Sequence, residues 1–368
     1  MLLPGDYAPH FRQDSSNNPD HSFDVAAGRY IVLSFIGSSR LPYTAGLLEE
    51  VARRRERFDV GNAMFFAVTI DPQDQSQLKQ QWPGMIYFWD IDQSVSKLYG
   101  VLNDDSGHPQ GSAGAGQLQY EGRSFVLDPA LRVLAVIPFV QEPSAHVTYA
   151  LEVIDSLPKI ENLELPAPVL MVPYVFEPEL CRELVRYYEA RGGQDSGFMR
   201  DVNGKTVAMV HHSHKRRADC KITDADLIAR TQERLMRRVA PAIRQAFQFQ
   251  VSRIERYIVA CYDAADAGHF NAHRDNTTLA TSHRRFAVSI NLNADEFEGG
   301  QLRFPEFGLR WYKPPTGGAV VFSCSLLHEA TAVTKGRRYA FLPFLHDDAA
   351  EQIRQQNHQY LSTTPTPT

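Results

Sequence analysis

The chain has 368 residues, 43% of them hydrophobic and 22% charged, and its 38 Lys and Arg against 43 Asp and Glu give a formal net charge of −5. That length predicts two domains or one large elaborated one, and the acidic balance excludes a strongly basic nucleic-acid binder on bulk electrostatics. No apolar run approaches the about 20 residues of a membrane helix, and Pro4-Gly5-Asp6 follows Met1-Leu2-Leu3 at once, so neither membrane nor leader is expected and the protein is read as cytoplasmic.

From the amino terminus, strands alternate with helices. Tyr30 to Ile36 reads as a buried strand, Ala45 to Phe58 as an amphipathic helix, Met64 to Ile70 as a second strand, and Gln73 to Gln81 as a polar helix. Ile86 to Trp89, Ser124 to Leu127 and Val133 to Ile137 complete the strands, and Ala145 to Ser156 closes the segment as a helix. Interleaved strands and helices imply an α/β sandwich. Asp104 to Gly116, rich in Gly, Ser, Asp and Pro, is expected to be a mobile surface loop. Ser156 to Pro173 holds four prolines and reads as an extended connector.

Beyond the connector the pattern changes. Glu177 to Arg191 and Asp224 to Phe247 are helical in spacing, the second with Thr223 or Asp224 as its N-cap. Short strands follow at Val251 to Tyr262, Arg284 to Leu292, Gly300 to Phe304, Leu309 to Tyr312, Ala319 to Ser323 and Arg337 to Leu345. Helices followed by several short strands predict an antiparallel barrel or jelly roll with helical backing. The expected division is 1–160, a connector at 161–173, a second domain at 174–350 and a tail at 351–368. All four cysteines (Cys181, Cys220, Cys261, Cys324) lie in the second half without a CxxC pair, as in a reducing compartment.

The residues that carry chemistry are His273, Asp275 and His328. Two imidazoles and one carboxylate on one face leave three positions of a non-haem Fe(II) open for a bidentate cosubstrate and O2. An H-x-D pair alone is weak, since one arises by chance about once in a chain of this composition, and His346-Asp347-Asp348 is a decoy. Context separates them. His328 follows a Gly317-Gly318 turn and the apolar strand Ala319 to Phe322, and Arg338 comes ten residues later on the next strand. A guanidinium is a permanent, bidentate clamp for the far carboxylate of a buried dicarboxylic acid. Arg337 competes for that role, because adjacent strand residues face opposite ways and only one can enter a barrel. On the strand from Phe286, alternation sets Phe286, Val288 and Ile290 on one face and Ser289 and Asn291 on the other, which either lines the site or meets solvent.

Residues from about 251 to 345 resemble the 2-oxoglutarate/Fe(II) dioxygenases of the prolyl 4-hydroxylase type. The matching segments are Arg256-Tyr257 through Tyr262, Gly268 through Asp275, Phe286 through Asn293, Glu298 through Phe304, Gly317 through Phe322, and His328 through Arg338. The resemblance implies a double-stranded β-helix, or jelly-roll, domain that uses Fe(II), 2-oxoglutarate and O2, with ascorbate as an auxiliary. It places metal ligands at His273, Asp275 and His328 and cosubstrate contacts at Arg338 and Tyr262, although the spacing from Tyr262 to His273 is longer than usual. The implied reaction hydroxylates a C–H bond while 2-oxoglutarate is decarboxylated to succinate, with a prolyl or other peptide side chain as the favoured substrate. A free amino acid or small metabolite, or a non-catalytic metal-binding interaction protein, are the alternatives.

The first half resembles the peroxiredoxins, a thioredoxin-like family, over roughly residues 3 to 157. Gly5 to Phe11, Tyr30 to Phe35 and Ser124 to Asp128 carry the likeness. Where that family has its peroxidatic cysteine, this chain reads Leu41-Pro42-Tyr43-Thr44, and a threonine hydroxyl forms no alkoxide near neutral pH. Arg123 lies one residue from the family's supporting arginine. A domain without peroxidase activity, serving dimerisation or partner docking, is therefore expected. The run His211-His212-Ser213-His214-Lys215-Arg216-Arg217 reads as a solvated charged loop, or else as a segment over the barrel mouth.

Overall fold

The apolar run Tyr30–Gly37 is buried along its whole length and is the central strand of a five-stranded sheet. The order is Met85–Trp89, Ala63–Thr69, Tyr30–Gly37, Arg123–Leu127, Val133–Pro138, with the first three parallel and Arg123–Leu127 antiparallel to both of its neighbours. Strands covered on both faces need continuous apolar sequence, which is what these segments have. On one face, Leu47 and Val51 of Pro42–Arg53 and Val147, Leu151 and Ile154 of Pro143–Asp155 join the core with Tyr30, Val32 and Phe65. On the other face an aromatic cluster links Phe11, Phe23, Phe66, Phe88, Tyr99, Phe35 and Phe125. In this computed structural model, which describes residues 2–78, 83–103 and 119–362, that sheet belongs to a unit of Met1–Leu165 and Pro305–Leu309. The expected polar helix is shorter, Asp74–Gln77, and the loop expected at 104–116 lies outside the described residues.

The second unit, Pro166–Phe304 and Arg310–Thr368, is built on two antiparallel sheets. The larger has the path Leu170–Val172, Ala319–Ser323, Phe286–Asn291, Val333–Phe341, Ile258–Asp263, Ala218–Lys221, Gln194–Asp195. The smaller has the order Lys215–Arg216, His269–His273, His328–Ala330, Leu302–Arg303, Trp311–Tyr312. Leu180, Cys181 and Leu184 of Pro178–Arg191, with Leu235, Val239 and Ile243 further on, cover one face of the larger sheet over Phe286, Val288, Ile290 and Phe341. Phe198–Val202 and Lys205–Met209 form a separate hairpin.

Several boundaries differ from expectation, each for a local reason. The helix expected over 224–247 is capped by Asp224, whose side chain accepts from the Leu227 N–H, but a π turn at Leu235–Val239 divides it into Ala225–Arg234 and Ala240–Phe247. Pro241 has no N–H for the carbonyl four residues back, so the regular ladder cannot continue through it. The strand expected from Val251 to Tyr262 breaks at Arg256, which has φ +69°, and its guanidinium turns to the Leu342 carbonyl. The connector is not only a linker, because Leu170–Val172 pairs with Ala319–Val321 at the sheet edge. The expected tail is a helix, Asp348–Asn357, N-capped by the Asp347 of the decoy, while His346 is buried against Glu351. The histidine-rich run also differs: Lys215 and Arg217 are 3% and 6% exposed, and Lys215–Arg216 is a strand rather than a solvated loop. The four cysteines are unpaired and buried. No helix among the described residues is long and apolar enough to cross a membrane.

Candidate metal and cosubstrate site

His273 ends one strand of the smaller sheet and His328 opens its neighbour, and the two are register partners. Phe270 pairs with Ala330, three residues before His273 on one strand but two after His328 on the other. That extra residue is a β-bulge, and it turns His273 to the same face as Phe270, which regular alternation would forbid. Asp275, two residues on, is anchored by its N–H to the Cys324 carbonyl at 2.9 Å.

Each imidazole is oriented by its own strand. His273 Nδ1 lies 2.8 Å from the Asn271 carbonyl and His328 Nδ1 2.9 Å from the Leu326 carbonyl. A carbonyl only accepts, so Nδ1 carries hydrogen in both rings and each Nε2 presents a lone pair. Those Nε2 atoms face the two oxygens of one carboxylate, at 3.6 Å from Asp275 Oδ1 and 3.3 Å from Asp275 Oδ2. The three ligand atoms lie within 4.8 Å of one another. Burial, with the neighbouring His328, lowers the His273 pKa to about 4. Burial also opposes the charged form of Asp275, but the two imidazoles outweigh it and hold that carboxyl well below its usual range. A neutral imidazole beside an ionised carboxylate is the protonation state a divalent cation needs. Phe270 stacks on His273, and Phe304 and Phe322 wall His328.

Alternation decides between the two arginines. Arg337 is exposed and pairs with Asp263, whereas Arg338 is 2% exposed. Arg338 donates from Nη2 to Ser289 Oγ at 2.8 Å and from Nε to Asn291 Oδ1 at 3.2 Å, so the polar face of Phe286–Asn291 points inward rather than to solvent. Burial lowers the Arg338 pKa, and among the described residues no carboxylate lies within ion-pair distance of it. Gly300, at φ +65°, makes room for it, since a Cβ there would stand 3.0 Å from Arg338 Cδ. Tyr262 is the register partner of Arg338, with the guanidinium carbon 5.1 Å from its ring centroid.

Lys215 and Arg217 were read from sequence as part of a solvated loop or of a segment over the barrel mouth, and the structure buries both. Lys215 Nζ donates to Ser196 Oγ and to the Gly197 carbonyl, and Arg217 donates to Tyr262 and pairs with Asp219. The signal was present in the alternation Lys-Arg-Arg, in which Lys215 and Arg217 turn inward and Arg216 pairs outward with Asp266.

Two imidazoles and a carboxylate thus converge closely enough to hold a metal ion, and the same unit buries an arginine that has no carboxylate within ion-pair distance among the described residues. Residues 257–346 match the 2OG-Fe(II) oxygenase superfamily and residues 4–135 match the AhpC/TSA family. Curated relatives include a PKHD-type hydroxylase from Synechococcus sp. (strain JA-2-3B'a(2-13)), 27% identical over 93 residues that make up 24% of this chain and 41% of the relative. Another, from Shewanella frigidimarina (strain NCIMB 400), is 40% identical over 67 residues, 18% of this chain and 30% of the relative. The chain thus spans less than half the length of either. Among solved structures, a prolyl hydroxylase from Trichoplax adhaerens, in complex with a hypoxia inducible factor peptide fragment, aligns over 51% of this chain and 86% of its own, at 16% identity and TM-score 0.40. The second unit resembles 2-oxoglutarate/Fe(II) dioxygenases and the first resembles peroxiredoxins.

Proposed function

We propose that the second unit is a 2-oxoglutarate- and Fe(II)-dependent dioxygenase that hydroxylates a substrate C–H bond. The observation that carries this reading is the pairing of the His273, Asp275 and His328 cluster with a buried Arg338 that has no carboxylate partner. A buried cation with only neutral partners is costly, and an incoming carboxylate relieves that cost. The two facing antiparallel sheets are read as the leaves of a jelly roll.

His273 Nε2, His328 Nε2 and an Asp275 oxygen would hold the iron, and the donor set of two nitrogens and one oxygen fits that metal. When bound, iron and 2-oxoglutarate supply O2 activation, with decarboxylation to succinate and CO2 driving the hydroxylation. Arg338 would bind the distal carboxylate, with Ser289 and Asn291 fixing the plane of its guanidinium. Tyr262 would donate to the same cosubstrate. Phe270, Phe304 and Phe322 keep water from the metal-facing imidazoles. The curated relatives are hydroxylases by name, and that supports the hydroxylation; a prolyl or other peptide side chain is the favoured substrate, with a free amino acid or small metabolite as the alternative.

For the first unit we read no peroxidase activity and a role in dimerisation or partner docking. Thr44 is 1% exposed and its hydroxyl donates to the Ile36 carbonyl at 3.1 Å, which occupies it structurally. Four buried, unpaired cysteines support a reducing, cytoplasmic setting.

The test is succinate formation by the full chain with 2-oxoglutarate, Fe(II), ascorbate and candidate peptides, with mass spectrometry for a gain of one oxygen. Activity that is metal-dependent and lost in Asp275→Ala supports the reading. Succinate formation that persists in that variant overturns it.

A further inference from the structure

Two guanidiniums approach Tyr262. Arg338 approaches from the neighbouring strand, and Arg217 donates from Nη1 to the phenol oxygen at 3.3 Å, with its own guanidinium carbon 5.7 Å from the ring centroid. Arg217 is held in turn by Asp219, Nη2 to Oδ2 at 2.7 Å. Ser196 Oγ donates to Asp219 Oδ2 at 2.5 Å and accepts from Lys215 Nζ at 2.8 Å and from Arg217 Nη2 at 3.3 Å. Asp219 compensates the charge of Arg217, so what Arg217 transmits to Tyr262 is the direction of a hydrogen bond.

A guanidinium has donors and no acceptor, so the phenol oxygen must accept from Arg217. The Tyr262 hydroxyl hydrogen is then turned elsewhere. Arg338, whose guanidinium also reaches the phenol, is likewise donor-only and cannot receive it. Among the described residues no protein acceptor takes that hydrogen, whereas a carboxylate oxygen held by Arg338 would. Arg217 Nε and Asp219 Oδ1 are buried without a protein partner, and a buried polar group left unpaired is destabilising. A pair kept only for stability would not be expected to carry that penalty.

We propose that Arg217 is a positioning residue for the anionic cosubstrate: by occupying the acceptor side of Tyr262 it aims the phenol hydrogen at a 2-oxoglutarate carboxylate. The inference rests on the dioxygenase reading and deepens it.

The experiment is calorimetric binding of 2-oxoglutarate to the full chain loaded with Mn(II), for wild type, Arg217→Met, Tyr262→Phe and the double variant. Arg217→Met and Tyr262→Phe are each expected to weaken 2-oxoglutarate about tenfold while leaving Mn(II) affinity unchanged. The double variant is expected to match Tyr262→Phe within twofold, because both changes remove the same directed hydroxyl. Arg217→Lys, which keeps a donor and a charge, is expected to recover part of the loss, and it carries the same cycle should the methionine variant fail to bind Mn(II). An additive double variant, or Arg217→Met with wild-type affinity, overturns the inference alone. Wild type that binds Mn(II) but no 2-oxoglutarate overturns the dioxygenase reading and this inference with it.

Discussion

The ring of Phe270 lies parallel to that of His273, with centroids 3.4 Å apart and planes 18° from each other. The contact exists because the bulge between them turns both side chains to one face, and it adds a packed wall to the hydrogen bond that His273 Nδ1 donates to the Asn271 carbonyl. Such a stack is worth about 0.5–1.5 kcal/mol beyond area burial. Phe270→Leu, which keeps most of the volume, is therefore expected to weaken Mn(II) binding about two- to tenfold. Calorimetric titration checks it, and an unchanged affinity would show that the Asn271 carbonyl alone orients the imidazole.

Arg338 and Arg337 are adjacent in sequence and opposite in environment. Arg338→Met is expected to lose the rise in Tm that 2-oxoglutarate gives with Mn(II), yet to be no less stable than wild type without it, because the variant removes a buried cation that has no counter-charge. Arg337→Met exposes Asp263 at the surface and is expected to keep the ligand-induced rise. Differential scanning calorimetry with and without the keto acid decides between them. The reverse pattern would exchange the roles of the two arginines.

His146 in the first unit is 1% exposed, with Nε2 2.8 Å from Ser124 Oγ and Nδ1 3.1 Å from the Tyr43 hydroxyl. Burial lowers its pKa to about 4. The folded ring stays neutral down to that pH while the unfolded ring takes up a proton near pH 6.5, so the unfolded state binds more protons between those values. Its contribution is thus fully present above about pH 6.5 and is lost on acidification towards pH 4, at up to about 1.4 kcal/mol per pH unit. Hydrogen exchange of the Arg123–Leu127 amides, corrected for intrinsic rates, should show this slope in wild type and a shallower one in His146→Gln. Equal slopes would remove His146 as the cause.

Thr206 is fully buried in the hairpin formed by Phe198–Val202 and Lys205–Met209, where its hydroxyl accepts from the Ala280 N–H and donates to Asp201. The carboxy-terminal segment closes on the same hairpin: Ser362 N–H donates to the Thr206 carbonyl at 2.9 Å and Lys205 Nζ to the Gln359 carbonyl at 2.7 Å. Truncation after Asn357 removes these bonds and leaves the helix Asp348–Asn357 in place. It is expected to speed hydrogen exchange in the hairpin about tenfold, at roughly 1 kcal/mol per net hydrogen bond lost, while His269–His273 exchanges as before. Unchanged hairpin exchange would mean that the segment lies on the surface without holding it.

Much of the fold was legible from local pattern, and so were the residues of the His/Asp cluster. Ala319–Ser323 matches its expected strand at both ends, because an apolar run bounded by Gly318 and a Ser-rich turn has one way to be buried. His273, Asp275, His328 and Arg338 stood out by residue type and order, since metal and carboxylate chemistry accepts few side chains. Features made by pairing were not legible. The strands of the two histidines, His269–His273 and His328–Ala330, are short and mostly polar, and they exist because they hydrogen-bond to each other and to neighbours far along the chain.

By itself, then, the order of residues determined that this chain holds an α/β half lacking a cysteine at residue 44, an antiparallel half, and the side chains for a metal and a diacid. Tertiary structure alone decided which ring nitrogens face Asp275, that Arg338 rather than Arg337 turns inward, and that Lys215 and Arg217 leave the solvent, Arg217 donating to Tyr262. The reason is that direction and burial are set by strand register, a bulge and partners up to tens of residues away, while residue type is carried by each position alone.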